Sequence, residues 1–175
     1  MPGLVHIYTG DGKGKTTAAV GLGLRAWGRG LRVLMIQFLK GRDSGEVLAI
    51  ERLTPGFEVY RNKTAVQFIR RMNPEELEAC RGEVRAGLQY ARAASQSEHW
   101  DVLILDEMMA AIAAGFVSAG EVAELIQNKA AGLELVLTGR NAPEELLRRA
   151  DYVSRIAAEK HPLAQGVRAR RGIEY

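Results

Sequence analysis

The sequence lacks the features that mark disulfide-bonded, membrane-spanning and secreted proteins. Among its 175 residues there is one cysteine, Cys80, so no disulfide can form within the chain, and a cytoplasmic location is expected. No stretch approaches the roughly 18 consecutive apolar residues of a membrane-spanning helix. An apolar segment already begins at residue 4, which leaves no room for a secretion signal. We therefore expect no membrane partner.

Excess charge and metal-binding residues are also scarce. The 24 lysines and arginines against 21 acidic residues give a net charge of +3, too small to predict nucleic-acid binding. The three histidines and one cysteine show no metal-ligand spacing. With 47% hydrophobic and 26% charged residues, the composition is that of a folded protein and excludes disorder as the main state. The length predicts one domain, spanning residues 1–175.

Short apolar runs alternate with longer helical segments along the chain. Strands are predicted at residues 4–8, 33–38, 57–61, 102–105, 133–138 and 152–156. Helices are predicted at residues 15–29, 44–53, 74–94, 108–114, 118–129 and 143–150. Several of the strands are apolar on both faces, as parallel strands covered by helices are. The pattern predicts an α/β fold with a mostly parallel six-stranded sheet and helices on both faces.

The segment Gly-Asp-Gly-Lys-Gly-Lys-Thr-Thr at positions 10–17 lies between a predicted strand and a predicted helix. This context is typical of a phosphate-binding loop, in which glycines let backbone N–H groups converge on an anion at a helix N-terminus. Lys15 is expected to contact phosphate oxygens and Thr16 to ligate Mg²⁺. The predicted ATP-binding residues are Thr9, Gly10, Gly12, Lys13, Gly14, Lys15, Thr16, Thr17 and Arg140.

Other polar groups follow predicted strands at the same edge of the sheet. Asp106 and Glu107 end an apolar strand, and one or both are expected to hold Mg²⁺ beside the phosphate loop. Arg140 follows the next strand. It either contacts phosphate or is a solvent-exposed residue of a turn that caps the next helix. The basic C-terminal tail, residues 160–162 and 166–175, either closes over an anion or stays solvated. Spacing alone leaves both alternatives open.

Together these segments resemble a known family. Besides the phosphate loop, the chain carries Gln-Phe-Leu-Lys-Gly at 37–41, Leu-Asp-Glu at 105–107, Thr-Gly-Arg-Asn-Ala-Pro at 138–143, Lys-His-Pro at 160–162 and a Gly-Ile-Glu-Tyr end. In this order they resemble the P-loop type of ATP:cob(I)alamin (corrinoid) adenosyltransferase over nearly the whole chain. The resemblance implies a RecA-like parallel sheet and a homodimer. It also implies transfer of the 5′-deoxyadenosyl group of ATP to Co(I) of a reduced corrinoid, with release of triphosphate, in adenosylcobalamin synthesis or salvage.

The implied reaction sets the expected role of each residue. Co(I) is a strong nucleophile and alkyl transfer at C5′ moves no proton, so the site must orient the reactants and neutralise charge on triphosphate. A Mg²⁺ ion and an electron-donating reductase or flavoprotein are implied as well. The expected catalytic residues are Lys13, Lys15 and Glu107, and the expected metal ligands are Thr16, Asp106 and Glu107.

The corrinoid side of the site departs from the family's pattern. Many members carry an aromatic-rich segment after the third strand, whereas here Phe68 is the one aromatic residue of that region. Phe68, Met72 and His161 are the expected corrinoid contacts, and the preferred corrinoid stays open. Two alternative functions are a P-loop ATPase or kinase that cleaves the γ-phosphoryl group and a non-catalytic, nucleotide-gated corrinoid carrier.

Overall fold

The computed structural model describes residues 2–41, 44–61 and 69–174. Its strands form one sheet in which every pairing is parallel. They are β1 (Val5–Thr9), β2 (Val33–Gln37), β3 (Phe57–Arg61), β4 (Val102–Asp106), β5 (Glu134–Thr138) and β6 (Tyr152–Arg155). The predicted six-stranded parallel sheet is confirmed, with each strand end displaced by at most one residue.

Helices connect the strands and cover both faces of the sheet. They are α1 (Lys15–Trp27), α2 (Gly45–Ile50), α3 (Pro74–Gln96), α4 (Met108–Ala113), α5 (Ala119–Asn128) and α6 (Glu144–Leu147). Tighter 3-10 turns are formed by Glu51–Leu53, Ile69–Arg71 and Pro162–Gln165. No helix in the described part of the chain is both long and apolar enough to cross a membrane.

Two of the predicted helices differ most from those in the structure. The segment predicted at 143–150 is helical over a single turn, because Pro143 is extended and the chain must return quickly to the sheet. Asp151 completes that return, since its backbone N–H donates to Val5 O and its carboxylate accepts from Val5 N. The segment predicted at 44–53 is α-helical to Ile50 and continues as a 3-10 turn.

The sheet separates two apolar cores because alternate residues of a strand point to opposite faces. Leu103 and Leu105 pack on one face against residues of α3, α4, α5 and α6. Val102 and Ile104 pack on the other face against residues of α1 and α2. Strand β4 is therefore fully buried, which explains why its sequence is apolar on both faces.

The strand order is β3-β2-β4-β5-β1-β6. The first strand thus lies between the last two strands of the chain, and β4 lies beside β5. The loop after β1, the end of β4 and the end of β5 consequently meet at the carboxyl edge of the sheet. Parallel α/β sheets bind ligands at this edge, where the strand order reverses.

Candidate nucleotide-binding active site

The loop between β1 and α1 needs glycine for two reasons. Gly10 and Gly14 have φ angles of 108° and 121°, which side-chain-bearing residues rarely adopt. The loop also runs against the chain that follows β6, where the Gly12 N–H donates to Ile156 O at 2.8 Å. A Cβ atom on Gly12 would lie 2.5 Å from Ala157 O. No described side chain caps α1, so its first N–H groups are available to an anion in the cavity.

Lys15 is held inside the curve of this loop. Its ammonium donates to Gly10 O at 2.6 Å and to Gly12 O at 2.8 Å, and the residue is 9% exposed. Burial lowers the pKa of Lys15, and the positive charge of Arg140 lowers it further, while Glu107 opposes the shift. The ammonium is thus fixed at the centre of the loop, where a phosphate would bind.

Asp106 is the hub of the polar groups at the sheet edge. It is fully buried, and its Oδ1 accepts from the Thr16 hydroxyl at 2.8 Å and from the Thr138 hydroxyl at 2.7 Å. Its Oδ2 accepts from Lys40 Nζ at 3.0 Å and from Gln37 Nε2 at 3.3 Å. Four side chains from three segments therefore converge on one carboxylate, and the structure brings the expected metal ligands Thr16 and Asp106 together.

Lys40 is a member of this site that sequence reasoning missed. Its ammonium lies 3.3 Å from the Thr16 hydroxyl and 3.6 Å from Glu46 Oε1, in addition to its contact with Asp106. Burial opposes the charge of Lys40, but the attraction of Asp106 and Glu46 outweighs it and raises the pKa. The sequence signal for Lys40 was its position: it follows β2 by three residues, and β2 ends at the same sheet edge as β4, whose last residue is Asp106.

Glu107 immediately precedes α4 and has a left-handed conformation with φ 59°. Its backbone N–H donates to the Thr138 hydroxyl at 3.0 Å, which holds this uncommon turn. Burial raises the pKa of Glu107, as does the negative charge of Asp106, while Lys40 and Lys15 oppose the shift. Its side chain reaches the cavity beside the phosphate loop.

A cavity of about 550 Å³ lies over the phosphate loop, large enough for a nucleotide. Of the residues predicted from the sequence, its walls contain Gly12, Lys13, Gly14, Lys15, Thr16, Thr17, Glu107, Arg140 and His161. Thr9 is buried beneath the cavity, where its hydroxyl accepts from Ala142 N at 3.3 Å. Met72 packs against the apolar core rather than the cavity, and Phe68 lies outside the described residues.

The C-terminal segment closes one side of this cavity. Gly172, Ile173 and Glu174 line it, and Glu174 Oε1 accepts from Lys13 Nζ at 3.1 Å. The same carboxylate accepts from the side chain and backbone N–H of Arg170, and these bonds, with the one from Lys13, lower the pKa of Glu174 to about 2. The Glu174 carboxylate therefore joins the tail to the phosphate loop.

The polar groups at the sheet edge fit Mg²⁺. A hydroxyl and carboxylates are the hard oxygen donors that this ion prefers. The described residues contain no cluster of three or more histidine, cysteine or acidic side chains placed to hold a metal. Mg²⁺ in nucleotide sites is commonly bound by one or two carboxylates, with phosphates and water as the remaining ligands. Thr16, Asp106 and Glu107 meet that requirement.

Comparison with known proteins decides the family. A profile described as ATP:corrinoid adenosyltransferase BtuR/CobO/CobP matches residues 1–175. The chain belongs to this family. The resemblance inferred from the sequence is confirmed, and the enzyme is a transferase that acts on ATP and a corrinoid. Neither γ-phosphate cleavage nor a non-catalytic carrier is favoured.

Several relatives place the enzyme within the family. The corrinoid adenosyltransferase of Escherichia coli K12 is 33% identical over 174 residues, covering 99% of this chain and 86% of the relative. The corrinoid adenosyltransferase CobA of Salmonella typhimurium is 31% identical over equally large shares. The uncharacterized protein all2391 of a Nostoc strain is 36% identical over 94% of this chain, but the match spans 46% of that longer protein.

The fold has solved counterparts outside the family. The crystal structure of the RadB recombinase aligns with a TM-score of 0.55 and 17% identity, covering 88% of this chain and 74% of that one. At this identity the likeness concerns the fold alone. It confirms the predicted P-loop α/β architecture of the recombinase type.

Proposed function

We propose that the enzyme joins C5′ of ATP to the cobalt of a reduced corrinoid and releases inorganic triphosphate. The Co(I) electron pair forms the Co–C bond, the C5′–O bond breaks, and its electron pair leaves with triphosphate. The observation that supports this most directly is the convergence of the phosphate loop, Lys15 and the Asp106–Thr16 pair on one cavity in a corrinoid adenosyltransferase fold.

Triphosphate is a leaving group whose negative charge grows as the C5′–O bond breaks. The N-terminus of α1 and the Lys15 ammonium present positive charge at the loop before the substrate arrives. Such preorganised groups stabilise the transition state without reorganisation, and each is worth about 3 kcal/mol. Lys13, which now contacts Glu174, is near enough to add a second cation.

Mg²⁺ would be held by Thr16 and Asp106, with Glu107 at the same cavity. When bound, the ion neutralises charge on the phosphate oxygens. Because adenosyl transfer moves no proton, we assign no general base, and Glu107 serves as a ligand or an electrostatic partner. His161 is the expected corrinoid contact that lines the cavity, whereas Phe68 and Met72 remain predictions.

The proposal extends to the assembly in which the reaction takes place. Family membership is the support for a homodimer, for a reductase or flavoprotein that supplies Co(I), and for a cytoplasmic location. We also propose that residues 1–175 act as one nucleotide-binding domain, because the profile matches them all and the described strands belong to one sheet.

One experiment tests the reaction. The purified protein is mixed with Mg·ATP and a chemically reduced corrinoid, and loss of the Co(I) absorbance is followed while triphosphate is assayed. We expect a light-sensitive Co–C bond and one triphosphate per adenosyl group transferred. Production of ADP and phosphate without corrinoid alkylation would instead establish the ATPase alternative.

A further inference from the structure

The ammonium of Lys40 lies among the very groups that we propose as metal ligands. It contacts Asp106 Oδ2 at 3.0 Å and the Thr16 hydroxyl oxygen at 3.3 Å. Asp106 is fully buried, so its charge needs a neutralising partner at all times. The ammonium of Lys40 supplies such a partner by forming an ion pair with this carboxylate.

Lys40 also competes for the oxygen lone pairs that a metal would use. The Thr16 hydroxyl gives its hydrogen to Asp106 and accepts an N–H from Lys40. Asp106 Oδ2 accepts from Lys40 and from Gln37. A divalent ion at this position would have to displace the ammonium, and it would also be repelled by the positive charge until that displacement occurs.

A second partner for Lys40 is already in place. Glu46, in the first turn of α2, holds its Oε1 atom 3.6 Å from the ammonium. This distance is that of an ion pair and exceeds that of a short charged hydrogen bond. Glu46 lines the same cavity as Lys40, so a small rotation of the lysine side chain would bring the two into contact.

We propose that Lys40 is the resident cation of this site: it neutralises Asp106 in the free enzyme, excludes an isolated divalent metal, and moves toward Glu46 when metal and nucleotide enter together. Lys40 is then a positioning residue that couples metal entry to ATP. The inference rests on the proposed metal site at Asp106 and Thr16.

The test measures Mn²⁺ binding without nucleotide, by the EPR signal of the free ion. We expect Lys40→Met to bind Mn²⁺ at least about tenfold more tightly than the natural protein, equivalent to about 1.4 kcal/mol. Adding Asp106→Asn should abolish that gain. Arg29→Met, which removes an exposed cation far from the cavity, should change nothing. Equal Mn²⁺ affinity in the natural protein and Lys40→Met would overturn the inference.

Two further measurements separate this inference from the proposed function. If Asp106→Asn leaves Mn·ATP affinity unchanged, the proposed metal site is wrong. If that affinity falls while Lys40→Met has no effect on Mn²⁺ alone, only the role of Lys40 is wrong. Glu46→Gln should weaken Mn·ATP binding by about threefold or more, since Lys40 then lacks a charged partner to receive it.

Melting temperatures provide a readout that is independent of activity. In EDTA, Lys40→Met should melt below the natural protein because the Asp106 charge loses its partner, and Mn²⁺ should restore most of the loss. Lys40→Gln, which keeps hydrogen-bond donors without the charge, replaces the methionine variant if that variant does not fold. Unchanged melting in EDTA, or no recovery with Mn²⁺, would contradict the proposal.

Discussion

The Thr138 hydroxyl donates to the Asp106 carboxylate over 2.7 Å and so joins the ends of β5 and β4. The same hydroxyl oxygen accepts the backbone N–H of Glu107 at 3.0 Å. Thr138 thereby fixes both the orientation of the buried carboxylate and the left-handed turn at Glu107, whose φ is 59°. One buried hydroxyl positions two of the three expected metal ligands.

Replacing Thr138 by valine removes this hydroxyl while keeping the shape of the side chain. The Glu107 N–H is then left without a partner, at a cost of about 1–3 kcal/mol in the free energy of unfolding. We expect a melting temperature lower by several degrees, since about 1 kcal/mol corresponds to about 2–4 °C in a domain of this size. Adenosyl transfer should fall as well, because Asp106 is no longer held. Thr138→Ser keeps the hydroxyl and should recover most of the melting temperature and most of the adenosyl transfer. If Thr138→Val has the stability and turnover of the natural protein, Thr138 does not position the site.

The part of this site that follows from strand order could be predicted from the sequence. The carboxyl ends of parallel strands meet at one edge, so an apolar strand ending in Asp106 was expected beside the loop that contains Thr16. The structure confirms that proximity through a hydrogen bond of 2.8 Å. The strand pattern was decisive because a run that is apolar on both faces indicates a buried parallel strand, whose last residue then lies at the carboxyl edge of the sheet.

The other contacts of the site depend on the tertiary structure and cannot be predicted from the sequence around each residue. Thr138 is ordinary in a strand, and the direction of its hydroxyl is set by the pairing of β5 with β4. Lys40 contacts Asp106 because its long side chain turns toward the end of β4, and the sequence does not show that direction. Glu174 meets Lys13 across 161 positions of sequence, so its role is visible only once the tail is folded back.

Lys15 and Lys13 should differ sharply in their contribution to turnover. Lys15→Ala removes the ammonium at the centre of the loop, and we expect adenosyl transfer to fall by about 100-fold or more, the scale of a lost transition-state donor. Lys13 is half exposed and paired with Glu174, so Lys13→Ala should cost about tenfold or less. Initial rates of Co(I) loss at saturating ATP compare the two variants, and circular dichroism checks their folding. Near-normal turnover in Lys15→Ala would exclude the proposed role of the loop.

Gly139 should tolerate no side chain. Its φ is 140°, and a Cβ atom would lie 2.6 Å from the Cβ of Met109. Backbone strain and overpacking together predict a loss of about 2–3 kcal/mol for Gly139→Ala, measured by chemical denaturation. Gly132→Ala is the matched control, because a Cβ there meets nothing within 4 Å. Equal midpoints for the two variants would show that the β5–α6 turn relaxes without cost.

Glu174 should keep the tail on the phosphate loop across the ordinary pH range. Hydrogen bonds from the Arg170 side chain and backbone, then from Lys13, lower the pKa of Glu174 to about 2. A lowered carboxyl pKa means that the contact is fully formed above the unfolded-state pKa and is lost only as the pH falls through about 2. Trypsin cleaves after arginine, here Arg168, Arg170 and Arg171. Divided by the rate for a peptide standard, which corrects for the protease's own pH dependence, the cleavage rate should therefore be constant from about pH 6 to about pH 9.

Glu174→Gln removes the charge that both Lys13 and Arg170 contact, so the tail should be cleaved several-fold faster at every pH. Added salt should narrow the difference between the variant and the natural protein, because exposed ion pairs are screened at an ionic strength of about 0.15 M and above. Glu144→Gln, in the first turn of α6, removes an equal charge away from the tail and should leave the cleavage rate unchanged. If Glu174→Gln and the natural protein are cleaved at the same rate at low salt, the Glu174 carboxylate does not fasten the tail. Closure of the cavity would then depend on Gly172 and Ile173.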